Sequence, residues 1–194
     1  ANTMACLTEA MGMSINGCAS ALAISAEKKR IAYKSGETVI HLVRQNLTPR
    51  RILTNNAFNN AILVDMALGG STNTILHLLA IAHECGIELK LETFDEISKQ
   101  TPHMVSLEPA GDHYMEDFDR AGGVPAILSV VKKNLRPGLT VNGVNILEIA
   151  RNGNVLDKDV IRFKEPYHKE GGIAILFGNI AKNGAVVKQS AVKL

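Results

Sequence analysis

Gly69, Gly70, Ser71, Thr72 and Asn73 join two apolar stretches through the most polar and flexible point of their neighbourhood. Free N–H groups opening the second stretch, together with the Ser71 and Thr72 hydroxyls and the Asn73 amide, make a donor set suited to a carboxylate. The same five residues also read as a helix C-cap followed by an N-cap, with no ligand at all. Glu116, Asp117, Asp119 and Arg120 concentrate charge just ahead of Gly122 and Gly123. Their carboxylates offer hard oxygen ligands to a divalent cation, or pair internally around Arg120, which is the commoner outcome for such clusters. His113, beside Tyr114 and Glu116, is the histidine best placed to join a site, although a loop histidine is ordinarily only solvated. Asp65 lies inside the apolar run 62–68, so it must reach a helix surface or find a donor. A satisfied structural carboxylate is the plainer reading there.

Other chemistries lack their residues. Cys6, Cys18 and Cys85 are separated by 12 and 67 positions with no Cys-x-x-Cys, too few and too irregular for a disulfide framework or a zinc centre. A reducing compartment fits such usage. His77 and His83 stand about 240° apart around one helix and cannot share a metal from it. There is no nucleophile elbow, no phosphate-binding Gly-x-x-x-x-Gly-Lys and no dinucleotide fingerprint.

The elements that must position these groups are helical up to about residue 135. In 194 residues, 46% hydrophobic and 21% charged, an ordinary buried core can form. No apolar run approaches the roughly 18 residues of a bilayer span. A net charge of +2 with scattered basic residues, 4% aromatics and no Trp leaves no footprint for nucleic acid or a membrane surface. Thr3 can cap a first helix to Gly12; 20–30 and a segment from Ser35 to before Thr48 supply two more. Helices are predicted over 54–68 and from Ser71 to Cys85, the second buried on most sides. Ile87 to Leu91 alternates with strand period before a helix over 93–99. An amphipathic helix from Gly123 to Leu135 ends at Arg136, Pro137 and Gly138. Beyond it come a short helix over 145–150, a buried strand over 173–177 and a turn at Asn183 and Gly184 before Ala185.

Read together, several of these motifs resemble the dihydroxy-acid dehydratase family, which also contains the phosphogluconate and sugar-acid dehydratases. The likeness rests on Ala1-Asn-Thr-Met4, Leu7-Thr-Glu-Ala-Met-Gly12, Gly69-Gly-Ser-Thr-Asn-Thr74 with His77-Leu, and Met115-Glu-Asp with Arg120-Ala-Gly-Gly123. It continues through Gly171-Gly-Ile-Ala-Ile-Leu-Phe-Gly-Asn179 and Gly184-Ala-Val-Val-Lys188, in the family's order. The resemblance implies a cytoplasmic, homodimeric hydro-lyase of branched-chain amino-acid biosynthesis that turns 2,3-dihydroxy acids into 2-keto acids with an iron–sulfur cluster and Mg2+. Family members are about three times this long, and the chain opens in helical composition without an initiator Met, so it reads as a middle piece. The cluster cysteines, the metal-binding Asp and Lys, the catalytic serine base and a further metal-binding Glu are all expected outside it. Cys6, Cys18 and Cys85 do not match the ligand positions, so no catalytic residue, metal ligand or cofactor is expected within the piece, which should be inactive alone.

The expected fold is α/β: an α-rich part over 1–135, a connector over 136–164, and the start of a β-rich, barrel-like second domain over 165–194. Ser71, Thr72 and Asn73 are the expected substrate-binding groups, with His113, Glu116, Asp117 and Arg120 as a polar pocket wall. The expected partner is a small 2,3-dihydroxy acid, not nucleic acid or membrane. A sugar-acid or 6-phosphogluconate dehydratase is the alternative within the family, and a non-catalytic helical interaction module the alternative outside it.

Overall fold

A helix that is apolar on every side has to be wrapped on every side, and α4 (Asn55–Ala67) is that helix. In the computed structural model, which describes residues 2–192, its side chains from Ala57 through Ala67 are buried apart from Asn59. Thr54 caps it, Oγ1 accepting the Ala57 N–H at 3.4 Å. Around it pack α1 (Thr3–Ala10), α5 (Thr72–Glu84), α6 (Leu91–Gln100) and α8 (Gly123–Val130), with α9 (Ile146–Asn152) behind α8. The short helices α3 (Pro49–Ile52) and α7 (Met115–Arg120) complete the helical part. Phe58, Phe94 and Phe118 are the largest wholly buried side chains of the shared core.

The chain then folds back over α6. Strands β1 (Ala174–Leu176) and β2 (Ala185–Val187) form an antiparallel pair in which Ile175 faces Val186, and β1 lies against α6. The Gly171 N–H donates to Ser98 O at 2.8 Å, and Ser98 Oγ donates to Ile173 O at 2.5 Å, fixing that approach. Helix-rich with one small sheet among the described residues, the fold agrees with the α/β class at that coarse level.

Several expectations change. The predicted pair of helices between Ser20 and Thr48 is one, α2 (Ala26–Arg44), with Ser25 Oγ accepting the Lys28 N–H at 3.1 Å. It runs straight through Gly36, whose penalty of about 1 kcal/mol is small beside nineteen helical residues. Only Ile31 of α2 is buried, and Tyr33, Val39, Ile40 and Val43 are left exposed. The stretch from Ile87 forms no strand, because no partner strand lies beside it among the described residues, and Leu91 already belongs to α6. α5 buries only Thr74, Ile75, Leu78 and Ala82, one stripe, with Leu76 facing solvent. α8 stops at Val130, five residues before Leu135. No helix among the described residues is long and apolar enough to cross a membrane.

Candidate functional site

The joint between α4 and α5 is a backbone feature before it is a chemical one. Gly69 and Gly70 have φ of +79° and +60°, the left-handed region that glycine enters without steric cost. A Cβ on Gly69 would stand 2.5 Å from His103 Nε2, and one on Gly70 would stand 2.6 Å from Ile173 Cδ1. Two glycines therefore let the turn sit flat against 103–105 and 172–173. Ser71 follows as the N-cap of α5, half-buried, its Oγ accepting the Asn73 N–H at 3.3 Å. Thr72 and Asn73 are exposed in the first turn. The structure thus presents the three predicted binding residues at one open helix start, where backbone N–H groups and the helix dipole favour an anion.

Beneath this turn lies a buried polar cluster. Asp65 and Thr74 are wholly buried, and Thr74 Oγ1 stands 2.5 Å from both Asp65 Oδ2 and the Ser71 carbonyl. Among the described residues, Asp65 Oδ1 has no aligned hydrogen-bond partner. Burial pushes the Asp65 carboxyl up to about 7, against the opposing pull of the Thr74 hydroxyl, Lys188 and the Ser71 backbone. The half-buried Lys188, just past β2, is pushed down by its own desolvation. Ser190 Oγ donates to Gly69 O at 2.8 Å, so the C-terminal segment ties directly onto the joint. His103 is buried too; its Nε2 lies 2.9 Å from Val105 O and must carry the proton there. Desolvation holds this imidazole down at about 4, hence neutral. Nothing in the sequence pointed to His103, and Thr74 and Lys188 showed there only as ends of shared motifs, although the demand of Asp65 for a donor was visible.

Of the second predicted group, His113 is tied to the end of the segment 103–107 that passes the joint, and Glu116, Asp117 and Arg120 follow on α7. Met104 N–H donates to Ala67 O at 2.9 Å at one end, and Leu107 pairs with His113 at the other. His113 is fixed by backbone bonds, its N–H donating to Ser106 O at 3.2 Å and its carbonyl accepting the Glu108 N–H at 2.8 Å. Asp117 accepts the Tyr114 N–H at 2.8 Å at the start of α7, and Glu116 pairs with Arg120 one turn on. Asp119 accepts the Ser20 hydroxyl at 2.5 Å. Each acidic side chain of the cluster therefore has a local partner, and among the described residues no three His, Cys, Asp or Glu side chains converge as a metal-ligand set. A cleft of about 640 Å³ lies elsewhere, between α4, α6 and 133–137.

The chain matches the family described as Dihydroxy-acid/6-phosphogluconate dehydratase, with the N-terminal part over residues 1–149 and the C-terminal part over 159–194. The chain belongs to this family. Among relatives named dihydroxy-acid dehydratase, that of Endomicrobium trichonymphae is 66% identical over 192 residues, 99% of this chain. Those of Thermodesulfovibrio yellowstonii and Citrifermentans bemidjiense are 56% and 58% identical over 193 residues. In all three the chain spans 35% of the relative's length. The dehydratase motifs Gly69 to Thr74 and Gly171 to Asn179, distant in sequence, meet here: the Gly172 N–H donates to Met66 O at 3.1 Å beside Gly69.

A second buried carboxyl makes the stability of the chain depend on pH. Glu9 on α1 accepts the Gly17 and Ala19 N–H groups at 2.8 and 3.1 Å, yet burial still pushes it from 4.5 to about 7. Asp65 moves from 3.8 in the same direction. Both groups bind protons more tightly in the folded chain than in the unfolded one. Their stabilisation is therefore complete below about pH 4 and is lost as pH rises to about 7, by at most about 1.4 kcal/mol per pH unit for each group. The urea midpoint is expected to fall between pH 5 and pH 7.5. Glu9→Gln should flatten that slope while lowering the midpoint at pH 5, since its NH2 faces one of two N–H donors. An equally steep slope in Glu9→Gln would remove Glu9 from the explanation.

Proposed function

We propose that the full-length protein carrying this chain is a hydro-lyase that removes water from 2,3-dihydroxy carboxylic acids to give 2-keto acids. The observation that carries the reading is the match to relatives named dihydroxy-acid dehydratase along 99% of the chain. In the reaction the C2–H and C3–O bonds break, hydroxide leaves with the C2 proton as water, and the resulting enol tautomerises to the ketone. The role in branched-chain amino-acid biosynthesis, the cytoplasmic location and the homodimer belong to the same proposal. Exposed apolar side chains on α2 support a surface that is covered in the assembled enzyme.

Within the reaction this chain binds and orients. Ser71, Thr72 and Asn73 take the substrate carboxylate at the α5 start, where N–H donors and dipole add to the side chains. His113, Glu116, Asp117 and Arg120 form a polar wall, held through 103–107. The family's chemistry implies an iron–sulfur cluster and Mg2+, and the residues present do not fit as their ligands. Cys6 is buried with its thiol pushed far up, and Cys18 and Cys85 are free thiols on a separate loop and at the end of α5. We place those groups, and the catalytic base, in other parts of the full-length protein. The division into 1–135, a connector over 136–164 and a β-rich, barrel-like domain from 165 is likewise our reading, supported by the β1–β2 pair near its start.

A 6-phosphogluconate substrate is less well served, because 69–73 contains no Lys or Arg to meet a phosphate. Full-length enzyme reconstituted with iron, sulfide and Mg2+ is expected to turn over 2,3-dihydroxyisovalerate at least about tenfold more efficiently than 6-phosphogluconate. The isolated 194 residues should turn over neither. Preference for the phosphorylated acid, or turnover by the isolated piece, would overturn the proposal.

A further inference from the structure

Thr74 has one hydroxyl proton and two oxygen neighbours at 2.5 Å, Asp65 Oδ2 and the Ser71 carbonyl. With Asp65 ionised both neighbours only accept, so the single proton can serve one of the two short contacts and not the other; given to the carbonyl, which already accepts the Thr74 N–H at 3.0 Å, it leaves the Asp65 contact bare. The contact with Asp65 then lacks a proton unless the carboxyl supplies one. Asp65 Oδ1 leads to the same assignment: wholly buried and without an aligned hydrogen bond among the described residues, with only the pull of the Ser71 backbone on the carboxyl, it would leave an ionised carboxylate poorly satisfied, whereas a neutral acid leaves only a carbonyl. Among the groups facing it, Cys6 comes from α1 and Lys188 from the segment after β2. α6 turns Phe94 and Ser98 inward, and α8 only apolar residues and Gly123.

We propose that Asp65 is a positioning residue for substrate binding: as the neutral acid it donates to Thr74 Oγ1, which donates to the Ser71 carbonyl and fixes the first turn of α5. The chain of two hydrogen bonds anchors from below the residues that meet the carboxylate from above. The inference rests on the reading of Ser71, Thr72 and Asn73 as substrate groups. Ionisation of Asp65 would call the Thr74 proton away from Ser71 and release the turn.

The test uses the full-length enzyme with Asp65→Leu, Asp65→Asn, Thr74→Val and Thr74→Ser. Two readouts are needed: KM and kcat for 2,3-dihydroxyisovalerate from pH 6 to 8.5, and hydrogen exchange at amides 71–74 without substrate. Asp65→Leu and Thr74→Val are each expected to raise KM about tenfold with kcat changed less than about threefold, and the double variant to be no worse than either. Asp65→Asn and Thr74→Ser, which keep a donor at each place, should return KM to within about threefold of wild type. Wild-type KM should climb as pH passes about 7, and that of Asp65→Asn should not. Exchange at 71–74 should quicken about tenfold in Asp65→Leu and Thr74→Val. Unchanged exchange in Thr74→Val, or failure of Asp65→Asn to rescue, overturns the inference. Should Asp65→Leu fail to fold, the near-isosteric Asn, Val and Ser variants decide. Quickened exchange with unchanged KM would instead leave the positioning chain intact and refute the substrate reading.

Discussion

Gly172→Ala is expected to destabilise the protein by more than about 3 kcal/mol and to abolish activity of the full-length enzyme with it. The added Cβ would stand 2.2 Å from Gly69 Cα, 2.3 Å from Gly69 O and 2.4 Å from Gly69 C. These are backbone atoms held at φ of +79° between the end of α4 and Ser190, so no side chain can turn aside to make room. The Gly172 N–H bond to Met66 O would go as the chains separate. The cause is contact alone, because the φ of Gly172 is not in the left-handed region. Gly36→Ala supplies the opposite sign: an exposed site within α2 with nothing within 4 Å, it should gain about 1 kcal/mol. Urea unfolding of the two variants measures both. Equal midpoints would mean that 171–173 does not press on the joint.

The same joint shows what was legible in the sequence. Thr54, Ser71 and Asn145 were readable as helix starts because a cap is a local bond, satisfied two or three residues on. Gly69 and Gly70 were readable as a helix end for the same reason. Asp65 was readable as a demand, since a carboxylate among Leu63, Val64 and Met66 cannot stay unpaired. Its surroundings were not, because Ser190 reaches Gly69 across 121 positions and Lys188 comes from the same distant segment. Ile87 to Leu91 misled through its alternation, which makes a strand only where a partner strand exists. Leu76 misled in the other direction: apolar residues around α5 implied full burial, yet one flank is open. The acidic run at 116–119 left two readings open, and the geometry supplies Arg120, Tyr114 and Ser20 as partners.

The second large effect falls on substrate binding. In Ser71→Ala with Asn73→Ala, two polar groups at the α5 start are lost, each worth about 1.5–3 kcal/mol against a carboxylate. kcat/KM for 2,3-dihydroxyisovalerate should then fall at least about a hundredfold, mainly through KM. Loss of the Ser71 cap costs about 1 kcal/mol of stability, too little to unfold the enzyme and mimic the effect. Asp117→Ala removes a cap on α7 and a member of the polar wall, and serves as the companion variant.

Steady-state kinetics of Ser71→Ala in the reconstituted full-length enzyme is the most direct measurement of whether this chain carries part of a substrate pocket. A KM at least about tenfold higher, with the melting temperature within a few degrees of wild type, is the predicted result. A kcat/KM equal to wild type in both Ser71→Ala and Asp117→Ala would contradict it and leave the helix start as a cap alone.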